Sequence, residues 1–181
     1  SDGDGYGDAA ADVCETCVEG NLDIFSTNSM TGLTNNNLAG SYVNWGDGSS
    51  GIFHYYGCGS CGNQDNRAEF TVDLTNYTDV TLAFDYTVGF FGDMGANGST
   101  VEVSIDGGAN WSNIFTVVAS SGSESLALTA YAGQSVMIGF RYQGDYAHSW
   151  TVSNISVSYS DLICSLPTGY AYAGGDCDDN D

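Results

Sequence analysis

The sequence predicts an all-β protein, a β-sandwich of jelly-roll type with an irregular tail at each end. Two observations carry this. Apolar residues alternate with polar ones along several short stretches and do not recur at helical spacing. Glycine, at 25 residues, separates those stretches as turns, and Pro167 is the only proline. Short alternating strands with turns between them are what a two-sheet sandwich requires.

Taken in order, residues 1–13, "SDGDGYGDAAADV", have no alternating apolar pattern and read as a tail. The sandwich is expected over residues 14–163, with its alternating core from about Leu22 to Tyr159. Within it, "AEFTVDL", "VTLAFDYTV", "STVEVSI", "SLALTAY", "SVMIGFRY" and "SWTVSNISVSY" read as strands. In the second, Leu82, Phe84, Tyr86 and Val88 share one face. In the third, Val101, Val103 and Ile105 are expected inward, with Glu102 and Ser104 toward solvent. "DGGANW", from Asp106 to Trp111, is a turn, because Gly107 and Gly108 accept positive φ. Trp111 and Trp150 adjoin strands and are expected in the core. Residues 164–181, "CSLPTGYAYAGGDCDDND", are turn-rich, end in acid and form the second tail.

Charge narrows the partners. The chain carries 23 acidic residues against Arg67 and Arg141, no lysine, and a formal net charge of −21. Nucleic acid is excluded, since counterion release needs a basic face. Anionic membrane surfaces are disfavoured on the same ground. No run of about 18 apolar residues occurs, so no membrane insertion is expected. Six cysteines, Cys14, Cys17, Cys58, Cys61, Cys164 and Cys177, form an even set. In an extracellular or cell-surface protein they imply disulfides, whose pairing spacing alone does not give. Two C-x-x-C pairs also suit a zinc site. The acidic surroundings favour the extracellular reading.

The stretches "TVDLTNYTDVTLAFDY" (71–86), "VEVSIDGGANWSNI" (101–114) and "GQSVMIGFRYQGDYAHSWTVSNISV" (133–157) resemble the MAM-like jelly rolls of the choice-of-anchor J type. The resemblance implies a non-catalytic module for adhesion, display or glycan binding. That family carries an aspartate before the asparagine of its last strand, where this chain has Ser153, so a calcium site built on that aspartate is not expected. The two tails, "DGDGYGD" (2–8) and residues 164–181, resemble halves of thrombospondin type 3 and MopE-like calcium-binding repeats. That resemblance implies a Cys164–Cys177 disulfide, with the C-x-x-C pairs bridged locally or to one another.

Placed end to start, two copies read "GDCDDND" then "SDGDGYGD". Asp181, Asp2 and Asp4 then fall at positions 1, 3 and 5 of a calcium loop, followed by Gly5 at the sharp turn. Tyr6 would offer its carbonyl at position 7 and Asp8 its carboxylate at position 9. Asp176, Asp178 and Asp179 continue the acidic run upstream, giving seven carboxylates in fourteen residues. Such a cluster repels itself unless Ca²⁺ fills it. The expected function is therefore an extracellular structural module forming head-to-tail, calcium-bridged arrays with copies of itself, as a fibre, stalk or surface layer. A plainer alternative is that a longer multi-repeat chain continues past these residues.

The rival expectation is a carbohydrate-binding or adhesion module. Its candidate stacking residues are Trp45, Tyr55, Tyr56, Phe90 and Phe91, set among small polar residues in "WGDGSSGIFHYYGCG" and "VGFFGDMGANG". His54 and His148, the only histidines, lack a metal-binding spacing and are expected at the surface or in turns. Catalysis finds no support, since no G-x-S-x-G elbow occurs and no histidine is placed for a triad. If calcium fills the junction, a chelator should dissolve the assembly or lower the melting temperature. Assembly and melting unchanged in chelator would sink the junction reading.

Overall fold

The computed structural model describes residues 16–40, 44–55, 62–91, 98–144 and 148–165, apart from the side chains of 16–19 and 161–165. The chain divides into two units, Ser1–Leu22 with Ser160–Asp181, and Asp23–Tyr159. In the first, Ser160 Oγ donates to Asn21 Oδ1 at 3.2 Å. The second holds the sandwich core.

The described strands are β1 (Thr16–Thr27), β2 (Thr34–Ala39), β3 (Trp45–Asp47), β4 (Ile52–His54), β5 (Gln64–Asp73), β6 (Val80–Gly89), β7 (Thr100–Ser104), β8 (Ser112–Thr116), β9 (Ser121–Ala127), β10 (Ser135–Gly144) and β11 (Ser149–Ser165). The first sheet runs β3-β4-β11-β6-β9, with β1 also pairing β11, and the second runs β2-β5-β10-β7-β8. The all-β, two-sheet architecture is that expected. β6 shows why: Val80, Leu82, Phe84, Tyr86 and Val88 are all buried, and the residues between them are not. Period-two alternation places one face of the strand against the other sheet. Facing β6 across the core, Phe140 of β10 meets Phe84 edge-on at 5.4 Å and Trp150 of β11 at 6.0 Å. Such edge-to-face pairs contribute about 0.5–1.5 kcal/mol each beyond the area they bury.

Several expectations change. "SLALTAY" is not one strand: β9 ends at Ala127 and Thr129–Tyr131 form a 3-10 turn. Ile105 does not share the inward face of Val101 and Val103; β7 ends at Ser104, and Ile105 is 59% exposed. Glu102 and Ser104, expected in water, are buried. Ser104 is held by the turn that follows, where its Oγ donates to Asp106 Oδ1 at 2.8 Å and accepts Gly108 N–H at 2.9 Å.

Glu102 is buried by charge pairing on the outer face of the second sheet. Arg67 of β5 donates from Nε to Glu69 Oε1 at 2.8 Å and from Nη1 to Glu102 Oε2 at 2.7 Å. Arg141 of β10 donates from Nη2 to Asp65 Oδ2 at 2.7 Å and from Nη1 to Glu102 Oε1 at 3.1 Å. Asn36 and Gln143 add amide donors to Glu69 and Asp65. The hydrogen bonds that Arg141 donates to Asp65 raise its pKa further above its ordinary value, although burial opposes this. The Arg67 guanidinium carbon lies 3.6 Å from the centroid of the Trp111 ring, a cation–π contact. Trp111, expected in the core, is therefore half-buried as a cover on the outer face. Its Nε1 donates to Gly108 O at 2.9 Å. Beneath them Gly139 has no room for a side chain: a Cβ would overlap Arg67 Cγ at 2.7 Å and approach Trp111 Cζ3 at 3.0 Å.

At one margin the two sheets are joined by a side chain. Asn35 of β2 donates from Nδ2 to Trp45 O at 2.7 Å and accepts Trp45 N–H on Oδ1 at 3.0 Å. The amide thereby does for β3 what a peptide unit of a neighbouring strand would do.

Removing Arg67 leaves Glu69 and Glu102 buried without their main partner. Breaking a buried pair from one side costs about 3–5 kcal/mol. Arg67→Ala should lose roughly this much in denaturant unfolding, and a loss under about 1 kcal/mol would show that the network is dispensable.

Candidate functional site

The candidate site lies where β4, β11 and β6 run side by side in the first sheet. Register aligns His54 with Trp150 and Trp150 with Val88, and all three face inward. Parity then turns their neighbours outward. These are Phe53 on β4 and Tyr55 just past its end, Ser149 and Thr151 on β11, and Thr87 and Gly89 on β6. Tyr55 is 45% exposed, and its ring centroid lies 6.1 Å from that of Phe53. Gly46 on β3 is the register partner of Phe53, and no atom of the described residues stands within 4 Å of where its Cβ would be.

A Cβ at Gly89 would meet Ser149 Oγ at 2.5 Å, so a larger residue there would require the serine hydroxyl to turn away. The next residue, Phe90, has φ 59° and is 63% exposed. A bulky residue in the left-handed region is strained by about 1–3 kcal/mol, and such strain persists only where the surroundings impose it.

Beneath this surface lies a buried polar and aromatic layer. His54 stacks on Tyr142 at 3.8 Å, and Trp45 meets Trp150 edge-on at 5.2 Å. His54 Nδ1 lies 2.7 Å from the carbonyl of Tyr55, which can only accept, so Nδ1 carries the proton. His54 Nε2 then accepts from Asn66 Nδ2 at 3.0 Å. This bond draws the Tyr55 carbonyl toward the interior, which fits its ring standing outside. His148 sits alongside, with Nε2 bonded to Ser99 Oγ at 2.8 Å and, among the described residues, no partner for Nδ1. Burial pushes its pKa down to about 4. Both histidines, expected at the surface, are fully buried; each takes an inward position because a neutral imidazole packs as a flat ring.

The five residues expected to stack on sugars separate. Tyr55 and Phe90 are exposed at this end of the sheet. Phe91 is half-buried and packs against the core. Trp45 is 3% exposed, so it is no stacking platform: it faces inward on β3, and its backbone is held by Asn35. Tyr56 lies outside the described residues, as do Asp2, Asp4, Tyr6, Asp8, Asp176, Asp178, Asp179 and Asp181. Cys14, Cys58, Cys61 and Cys177 do too; Cys17 and Cys164 fall in β1 and β11, but their side chains are outside what is described. Sequence reading missed Phe53, whose outward placement follows from its position between inward Ile52 and His54.

Further along the same face the register shifts between Ser153 and Ser156, and Asn154 takes φ 50°. A groove of about 340 Å³ lined by Ser26, Thr27, Asn28, Asn154, Ile155 and Ser156 opens there. Asn154 Nδ2 donates to Asp85 Oδ2 at 2.7 Å, Asn28 Nδ2 donates to Asn154 Oδ1 at 3.1 Å, and Asn154 N–H bonds Asn28 Oδ1. Hydrogen bonds from Ser123 and then Asn154 lower the Asp85 pKa. Among the described residues no group of three or more His, Cys, Asp or Glu side chains is placed to hold a metal ion. Among them, too, no helix is long and apolar enough to cross a membrane.

No protein-family model and no curated protein matches the chain. Among solved structures it is similar to TmCBM61 in complex with β-1,4-galactotriose, at 10% identity over 75% of this chain and 97% of that one, with a TM-score of 0.49. It is also similar to Xylanase10C from Cellvibrio japonicus in complex with xylopentaose, at 9% identity over 75% of this chain and 28% of that one, TM-score 0.49. A mutant carbohydrate binding module of family 29 follows, at 11% identity over 79% and 92%, TM-score 0.46. Identities this low say nothing of what this chain binds.

His148 gives the fold a pH dependence whose sign is fixed. Its folded pKa is about 4 against an ordinary 6.5, so the unfolded chain takes up the proton first as pH falls. The stability linked to neutral His148 is fully present above 6.5 and is lost progressively down to about 4. Melting temperature should fall across that window, and less steeply in His148→Gln. Equal slopes in both proteins would contradict this.

Proposed function

We propose that the chain is a non-catalytic, extracellular carbohydrate-binding or adhesion module, with sugar rings stacking on Tyr55, Phe53 and Phe90. The observation that carries this is the exposure of Tyr55 and Phe90 at one end of one sheet. Aromatic carbon that stays exposed at a surface offers a flat apolar face on which a ring of matching shape can stack. The C–H face of a pyranose is apolar and flat enough to cover such a ring. Ser149, Thr151 and Thr87 supply hydroxyls beside it that both donate and accept, which suits sugar O–H groups. Tyr55 and Gly89 flank Ser149 on either side, two strand spacings or roughly 10 Å apart, which leaves room for more than one ring.

Strain at Phe90 fits the same reading. A bulky residue at positive φ is retained against its conformational cost when the ring is needed where it stands. Calcium binding by the acidic tails enters the proposal as a separate part, supported by the sequence pattern of Asp2, Asp4, Asp8 and Asp176 to Asp181.

Retardation in gels containing soluble polysaccharides, followed by calorimetry on the best ligand, tests the module. Tyr55→Ala and Phe90→Gly should each weaken binding up to about tenfold. Phe90→Gly relieves the positive φ, so its melting temperature should not fall. A double variant that still binds with full affinity would refute the site.

A further inference from the structure

We infer that the glycan taken by the Tyr55–Phe90 face is uncharged. The inference rests on the carbohydrate-binding reading and specifies its ligand. The chain has two basic side chains apart from its histidines, and its formal net charge is −21. Both arginines are on the outer face of the other sheet. Arg67 is held by Glu69 and Glu102 with its side chain 5% exposed, and Arg141 is held by Asp65 and Glu102. Neither can turn to a ligand on the first sheet without leaving buried carboxylates unpaired, at a cost of several kcal/mol. His54 and His148 are buried beneath the candidate face, so neither supplies a cation.

The face itself offers aromatic carbon, the hydroxyls of Ser149, Thr151 and Thr87, and the carboxylate of Asp85, which is aligned with Ser153 further down β11. A uronate or sulfated sugar would therefore desolvate its charge against no counter-charge, within a field of its own sign. An uncharged ring loses nothing of this kind. It needs stacking and O–H partners, and both are present. An amino sugar would be drawn by the net charge, but that attraction is diffuse and is screened beyond about 8 Å at physiological salt. Among the described residues no carboxylate stands beside Tyr55 to convert it into a specific contact: on the β4, β11 and β6 face Asp85 is the acid, four residues from Gly89 along β6.

The experiment compares backbones that differ only in charge. Hydroxyethylcellulose is set against carboxymethylcellulose, and neutral galactan against polygalacturonate, with chitosan as the cationic probe. Each is run on the wild-type chain and on Tyr55→Ala, at about 20 mM and about 500 mM salt, where the Debye length falls from roughly 20 to 4 Å. We expect a neutral member to bind in a Tyr55-dependent manner, with affinity changing less than about twofold between the two salts. Its acidic counterpart should bind at least about tenfold more weakly at low salt. Chitosan retention that disappears at high salt and ignores Tyr55→Ala is bulk attraction and agrees with the inference. An acidic polysaccharide bound as tightly as its neutral counterpart, or chitosan bound through Tyr55 at high salt, overturns the charge inference and leaves the module standing. No retention of any polysaccharide overturns the carbohydrate-binding reading itself.

Discussion

Every positive charge that Lys and Arg bring to this chain is engaged in one ion network, and the second sheet is organised around it. Arg67 and Arg141 on neighbouring strands share Glu102 on a third, so three strands are cross-linked on the face that a sandwich normally gives to water. The network demands a flat floor, which Gly139 provides, and a lid, which Trp111 provides. Buried ion pairs add little net stability because desolvation offsets attraction. Their effect here is specific: an acidic chain with two arginines has few ways to neutralise a buried carboxylate, and this register satisfies three at once. Neither arginine is therefore available to the first sheet, whose outer face carries hydroxyls, aromatic carbon and the Asp85 carboxylate.

Parity on a three-residue strand decides which aromatics do what. In "IFHYY" each residue is apolar or amphipathic, so no alternation is visible in the letters. Once Ile52 faces the core, His54 must follow it inward while Phe53 and Tyr55 stand outside. The same rule places Trp45 inside, opposite His54. The site is thus a by-product of core register, and its backbone is fixed from beneath by the imidazole of His54.

This explains how far the sequence could be read. Strands β6, β10 and the first half of β11 alternate cleanly and are visible directly. β2, "TNNNLA", is exposed along its whole length and carries no apolar period, so nothing in its composition marks a strand. Glu102 and the two histidines were misplaced for a common reason. Polarity predicts exposure only when no partner is available, and the partners of these residues lie 35 to 49 positions away or, for His54, on another strand. Tyr55 and Phe90 were legible as candidates by type, but Phe53 needed the register. The acidic runs of the two tails and the cysteine side chains lie outside what is described, and their reading comes from sequence pattern.

Asn35 has a consequence of a different kind. Its side chain works as a substitute peptide unit because an amide both donates and accepts. Asparagine amides hydrolyse slowly, which makes them heat-sensitive, and the product is a carboxylate that can only accept. After that change the contact with Trp45 N–H survives, while the carbonyl of Trp45 faces a negative oxygen at hydrogen-bond distance. Such a change at Asn35 would undo the hold on β3 from one side only, since the Trp45 N–H keeps its acceptor while the Trp45 carbonyl loses its donor.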